Sequence, residues 1–163
     1  MSATAATDSL RADHRRIETH LDRLLAALQH LAANKIGEVR REFQNIRRLA
    51  RPHFEQEDNV FYPQLREADA ALLARMDAEH EHTRLVEQYL EDLLASLPED
   101  PDERELGELY RLGIEFHDAV QTHIVDEEDY LLALADRVLS AQEQQLLLAR
   151  MQEHAEAISG THR

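Results

Sequence analysis

The sequence predicts an all-α protein, an antiparallel up-down-up-down four-helix bundle with an additional C-terminal helix. Among 163 residues there are four Gly and four Pro, and 43% are apolar. Abundant Leu, Ala, Glu, Gln and Arg, with few β-branched residues, favours helix almost throughout. Four long segments carry inward-type positions that alternate by three and four residues, the seam of a bundled helix. The breaks between them are short, so consecutive helices turn back on one another.

Punctuation places the helix ends: Asn34 and Lys35, then Pro63 with the acidic and Ala-rich stretch after it, the Pro98-Glu-Asp-Pro101 break, and Ser140. Helices are expected at roughly 8–32, 36–62, 69–97 and 101–137, with a shorter one at 140–158. Asp100, with Pro101 at the first helical position and Glu103 beyond, reads as a helix start, and Ser140 with Glu143 has capping-box spacing. Pro52 predicts a kink just before His53. The last helix carries a stripe through Leu147, Met151 and Ile158 that suits a groove of the bundle, with a dimer contact as the alternative. No stretch reads as an inter-domain linker, so residues 1–163 are expected to form one domain, with the bundle over about 8–135 and the accessory helix over about 140–158.

The formal net charge of −15, from 33 acidic and 18 basic residues, repels phosphate backbones and anionic lipid surfaces, so neither nucleic acid nor membrane is an expected partner. With no Cys there is no disulfide, thiolate nucleophile, zinc finger or Cys-ligated iron–sulfur cluster, and any metal must sit on nitrogen and oxygen. The N-terminal MSATAATDSL lacks the basic and apolar regions of a signal peptide, and no run of roughly 18 apolar residues occurs, so a soluble cytoplasmic protein is expected. A monomer or weak homodimer fits this surface.

The seams are where chemistry enters. The first runs Leu10, His14, Ile17, Leu21, Leu24, Leu28, Leu31, and the second Ile36, Val39, Phe43, Ile46, Ala50, His53, Glu57, Val60. In the third, Met76, His80 and Thr83 lead to a choice between Val86 and Glu87 before Leu90. The fourth runs Leu106, Leu109, Gly113, Phe116, Val120, His123, Glu127, Tyr130, Leu134. His and Glu thus occupy inward slots in otherwise apolar stripes. Counted from the turns, His14, His53, His80 and His123 lie nearly level, one per helix, with Glu57 and Glu127 one turn away. The chain also repeats itself: His53-Phe-Glu-Gln-Glu57-Asp58 matches His123-Ile-Val-Asp-Glu127-Glu128. The intervals from His14 to His53 and from His80 to His123, 39 and 43 residues, support two hairpins related by a pseudo-twofold.

Residues i and i+4 of a helix share a face with β-carbons about 5–6 Å apart, so His53 with Glu57 and His123 with Glu127 can each reach one centre. Two buried carboxylates would cost several kcal/mol each without compensation, and coordination to cations removes that penalty. Neutral imidazoles with bridging carboxylates suit iron, with manganese or zinc as substitutes. A single core His is more simply explained by a hydrogen bond to a carbonyl or a neighbouring Glu. Six such groups at one level are not explained by packing.

This pattern, an early His, then His-x-x-x-Glu, a central His, and a late His followed by acid, resembles the hemerythrin-like, or HHE cation-binding, domains over roughly residues 8 to 135. The resemblance implies that His14 and His53 ligate one iron and His80 and His123 the other. Glu57 and Glu127 would bridge them beside an oxo or hydroxo group. Oxygen-carrying hemerythrins have a further His one turn after the central one, where this chain has Arg84. That departure implies an open position at the His80 iron, or a substitute from Glu87, Glu81 or water. It shifts the expectation from reversible oxygen storage toward peroxide, nitric oxide or redox chemistry.

Ferritin-like di-iron bundles need Glu-x-x-His on each of two helices. Here only Glu79-His80-Glu81-His82 comes near, and His82 points about 200° away from His80. Ile17, Ala50, Thr83 and Val120 form a neighbouring layer whose small members leave room for a diatomic ligand. Tyr130, one turn beyond Glu127, is a candidate to hydrogen-bond a ligating carboxylate. His20, His30, His82, His117, His154 and His162 fall off the layer and are expected to be solvated or peripheral. The functions weighed are a di-iron protein that binds, senses or reduces oxygen, peroxide or nitric oxide, an iron-responsive binding module, and a plain helical interaction module.

Overall fold

Helices in the computed structural model follow the apolar seams, and residues 5–160 are described. The first four residues of the N-terminal segment and His162 lie outside that range. The helices are α1 (Ala6–Gln29), α2 (Ile36–Gln56), α3 (Ala70–Ser96), α4 (Glu103–Asp126), α5 (Ala133–Val138) and α6 (Ala141–Gly160). Among the described residues there is no strand, and no helix is long and apolar enough to cross a membrane.

Capping chemistry sets several starts. The Asp69 side chain accepts from the Leu72 backbone N–H at 3.0 Å and opens α3. Ser140 and Glu143 form the expected reciprocal pair before α6, at 2.7 and 3.2 Å. At α4 the box is two residues later than the sequence predicted. Asp102 is the N-cap and Glu105 its partner, both bonds being 2.8 Å. Asp100 has the same spacing to Glu103, but it is Asp102 with Glu105 that forms the reciprocal bonds, and Pro101 stays ahead of the helix.

Helix α2 runs on past Pro52, and its first irregular turn follows Gln56. There the expected single helices of 36–62 and 101–137 both change. Glu57–Phe61 and Glu127–Leu132 are π-helical turns, the first followed by a 3₁₀ turn at Tyr62–Gln64. A π turn takes in extra residues and rotates the helix beyond it. After Glu127 the buried positions are Leu131, Leu132 and Ala135 in place of the predicted Tyr130 and Leu134, and Tyr130 is 52% exposed.

Two apolar clusters result. One gathers Ile17, Leu21, Leu24, Phe43, Ile46, Ala50, Leu90, Phe116 and Val120, with Phe43 and Phe116 edge to face at 5.0 Å. Within it α1 and α4 approach closely, and a β-carbon on Gly113 would stand 2.7 Å from Leu28 Cδ2. The other cluster gathers Leu10, Val60, Phe61, Leu65, Leu73, Met76, Leu131 and Leu132, and α6 adds Leu147 and Met151. Ile158 is only half-buried. Helix α6 packs on α1, α2 and the Glu57–Phe61 turn, as its stripe predicted. The sequence positions between the two clusters, 14 on α1, 53 on α2 and 57 in the turn after it, 80 on α3, 123 on α4 and 127 in the turn after it, are the polar ones.

Candidate metal centre

All six sequence-predicted side chains meet in this layer: His14, Glu57, His80, His123 and Glu127 are 0% exposed and His53 2%. Their donor atoms form two groups, His14, His53, Glu57 and Glu127, and Glu57, His80, His123 and Glu127. Within each group the atoms lie within 4.8 Å of one another and could hold a metal ion. The two carboxylates belong to both groups. Glu57 presents Oε1 to His53 Nε2 at 2.6 Å and His14 Nε2 at 4.0 Å, and Oε2 to His80 Nε2 at 3.0 Å and His123 Nε2 at 3.9 Å. Glu127 Oε2 lies 2.9 Å from His123 Nε2.

Each imidazole is aimed by a carboxylate from a neighbouring element. His53 Nδ1 meets Asp13 at 3.1 Å, His80 Nδ1 meets Asp58 at 2.7 Å, His123 Nδ1 meets Glu79 at 2.8 Å, and His14 Nδ1 meets Glu128 at 2.9 Å. The pairs close a ring, in which α1 holds a histidine of α2, the turn after α2 one of α3, α3 one of α4, and the turn after α4 one of α1. Arginines anchor all four of these carboxylates: Arg84 on Asp58, Arg75 on Glu79, Arg15 on Glu128 and, more loosely at 3.7 Å, Arg16 on Asp13. With Nδ1–H donating outward, Nε2 is left as a lone pair facing in, the tautomer a metal-ligating His requires.

Those inward atoms lack mutual satisfaction. His14 Nε2, His53 Nε2, both oxygens of Glu57 and Glu127 Oε1 are buried without a hydrogen-bonding partner among the described residues. His53 Nε2 and Glu57 Oε1 are close but misaligned for a hydrogen bond. His80 Nε2 and His123 Nε2 stand 2.9 Å apart, two lone pairs in contact when both rings donate outward. Positive charge between them is what the arrangement lacks, and the ionisation behaviour agrees. Burial disfavours a charged His53, yet Glu57 and Asp13 override it and lift its pKa to about 10. Burial likewise opposes protonation of His123 and a charged Glu57. Nevertheless Glu127 and Glu57 hold His123 well above its ordinary value, and the histidines hold Glu57 well below its own. The donor set therefore fits cations.

Tyr62 was missed in the sequence. It is fully buried, its hydroxyl 3.1 Å from His80 Nε2, and it donates to Glu127 Oε2 at 3.3 Å. Burial, then Glu127 and Glu57, push its pKa well above 10, so it keeps its proton. Its only signal was a place five residues after Glu57, which the π turn brings inward. Tyr130, the sequence candidate, instead lies outside under Arg75, 5.3 Å from ring centroid to guanidinium.

Arg84 also reads differently in three dimensions. It points outward to Asp58 and lies 5.9 Å from the Phe54 ring. Neither suggested substitute reaches His80: Glu87 pairs with Arg47 and Arg51, and Glu81 is exposed. Asp13, Asp58, Glu79 and Glu128 were legible only as acids beside the ligand motifs. Of the histidines expected at the periphery, His30 and His82 are exposed. His20 is half-buried against Glu42 at 2.6 Å, His117 is buried against Asp118 at 2.9 Å, and His154 is half-buried.

A family model described as the hemerythrin HHE cation binding domain matches residues 5–135. Searches of curated proteins and of solved structures gave no match. Four histidines and two glutamates in one buried layer, with their motif spacing inside the matched span, give the same answer: this chain belongs to the hemerythrin HHE cation-binding domain family.

Proposed function

We propose that the chain is a di-iron protein whose paired centre binds, senses or reduces oxygen, peroxide or nitric oxide. His14, His53, Glu57 and Glu127 would hold one iron, and Glu57, His80, His123 and Glu127 the other, with manganese or zinc as substitutes. The observation that carries this reading is Glu57, whose two oxygens face different histidine pairs from full burial. Bound iron supplies reversible redox change and an affinity for small oxygen- and nitrogen-containing ligands. In this reading the four long helices form one domain, running antiparallel in up-down-up-down order, and the short connections and level donors support it.

The chain's own residues do the rest. The two apolar clusters exclude water from the layer, and the outward carboxylates hold each Nε2 in place before any ion arrives. Tyr62 holds a proton at its hydroxyl between His80 and Glu127. Absorbance after aerobic iron loading tests the reading. Ligand-to-metal bands that change with oxygen, peroxide or nitric oxide are expected, and a featureless spectrum insensitive to all three overturns it.

A second reading, an iron-responsive module, has its own observation. Orphaned donors stand between two halves of the core, so occupancy and folding are coupled. Chelation would then lower helicity and release a partner, and an apo protein as stable as the loaded one would remove this reading.

A further inference from the structure

A cavity of about 390 Å³ opens between α2, α3 and α4, away from the six convergent side chains and Tyr62, none of which lines it. Phe54 forms part of its wall and stacks on His80 with ring centroids 4.1 Å apart. The cavity absorbs three members of the small-residue layer, Ala50, Thr83 and Val120. It is roughly ten times the 30 Å³ or so that one water occupies in the liquid, so a diatomic ligand leaves it mostly empty. Sites for small organic ligands span roughly 300–1,000 Å³.

Its lining has three parts. The floor is apolar, from Ala50, Phe54, Phe116 and Val120. Into it faces Thr83, 2% exposed, whose hydroxyl has no hydrogen-bonding partner among the described residues. A buried unpaired hydroxyl is unfavourable, and a ligand oxygen would relieve it. The third part is charged, Arg47, Arg51 and Arg84 with Glu55 and Glu87. Arg47 is committed to Glu87 and Glu91. Arg51 spends two nitrogens on one oxygen of Glu87, and Arg84 one nitrogen on Asp58. A guanidinium has five N–H donors, so both retain several.

Such a lining sets unspent guanidinium donors and an unpaired hydroxyl beside an apolar floor. We propose that the cavity binds a small organic monocarboxylate with an apolar, oxygen-substituted body. The body rests on the floor with its oxygen at Thr83, and the carboxylate takes the spare donors of Arg51 and Arg84.

Calorimetric titration of the full chain as purified, with metal content determined on the same sample, tests this with 4-hydroxybenzoate as probe. Saturable one-to-one binding is expected. The neutral analogue 4-hydroxybenzyl alcohol should bind about tenfold more weakly for want of the charge-assisted bonds. Arg51→Gln should weaken 4-hydroxybenzoate by a similar factor, and Ala50→Leu, which fills the floor, should abolish binding. Arg51 is 57% exposed, so its replacement reports even where Ala50→Leu fails to fold. No saturable binding, equal affinity for acid and alcohol, or an unchanged Arg51→Gln affinity overturns the inference. Metal without carboxylate binding removes this inference alone, and carboxylate binding by a chain that takes up no metal even after ferrous loading removes the di-iron reading alone.

Discussion

His14 and His53, on α1 and α2, and His80 and His123, on α3 and α4, are aimed by the same device yet face different neighbours. In each half one carboxylate comes from the residue before a layer histidine, Asp13 or Glu79, and the other from the residue after a layer glutamate, Glu128 or Asp58. The surroundings then diverge. The second half contains Tyr62 against His80, and the His80 ring stacks with both Phe54 and Tyr62. The equivalent of Tyr62, five residues after Glu127, is Leu132. Among the described residues the first half has no such hydroxyl; it has α6 packed over α1, α2 and the Glu57–Phe61 turn. Duplicated geometry can therefore present two inequivalent sites, with ligand direction set by the repeat and reactivity by what departs from it.

Removing what the halves share should have the largest effect. Glu57→Gln replaces one charged oxygen by an amide that cannot serve both histidine pairs, and at least one ion per chain should be lost. Metal occupancy at about a thousand times the dissociation constant stabilises a fold by about 4 kcal/mol. For a chain of this size that corresponds to a melting temperature roughly 10 °C higher, and the variant should forfeit most of that gain. Thermal melts with and without metal measure it, and an undiminished gain would separate Glu57 from the ions.

Next come changes that tell the halves apart. Asp13→Asn and Glu79→Gln touch symmetric positions, and loss of such an orienting bond weakens metal binding about 10- to 100-fold. Stepwise metal titration should show one weakened ion in each variant and a different one in each; two equally weakened ions would break the comparison. Tyr62→Phe is milder, costing about 1 kcal/mol in hydrogen bonding. It should perturb the absorption of one ion and leave the other's affinity intact.

The smallest effect concerns the cover of the first half. Asp136 accepts from Thr7 at 2.7 Å, Arg11 at 2.7 Å and Gln144 at 3.0 Å, joining α5 to α1 and α6. Burial alone would raise its pKa, but Arg11, Thr7 and Gln144 pull it below the ordinary 3.8. A lowered folded value means that its contribution is complete above the unfolded pKa and is lost as pH falls through the folded one. Hydrogen exchange of α6 amides should therefore accelerate below about pH 4 before α3 and α4 respond. Asp136→Asn should reproduce the loosening at neutral pH, at a cost of at most about 1 kcal/mol because the carboxylate is partly exposed.

Much of this was legible because a seam of period three and four records which side chains point inward, and His14, His53, Glu57, His80, His123 and Glu127 sat on it unambiguously. Periodicity fails where the period changes. The π turns after His53 and His123 rotated the residues beyond them, hiding Tyr62 and misplacing Tyr130. Arg84 was read as a ligand's replacement because a linear motif aligns positions, whereas the helix turns it toward Asp58. Glu87 was ambiguous for a different reason: burial of a carboxylate there depends on Arg47 and Arg51 of another helix. Long-range pairing of that kind leaves no periodic trace.

Elemental analysis of the protein purified without a histidine tag tests most directly whether the buried donors exist to hold cations. Two metal ions per chain, mostly iron, are expected from the two donor groups that share Glu57 and Glu127. A folded, helical protein that retains no stoichiometric metal, even after anaerobic loading with ferrous iron, would contradict the account.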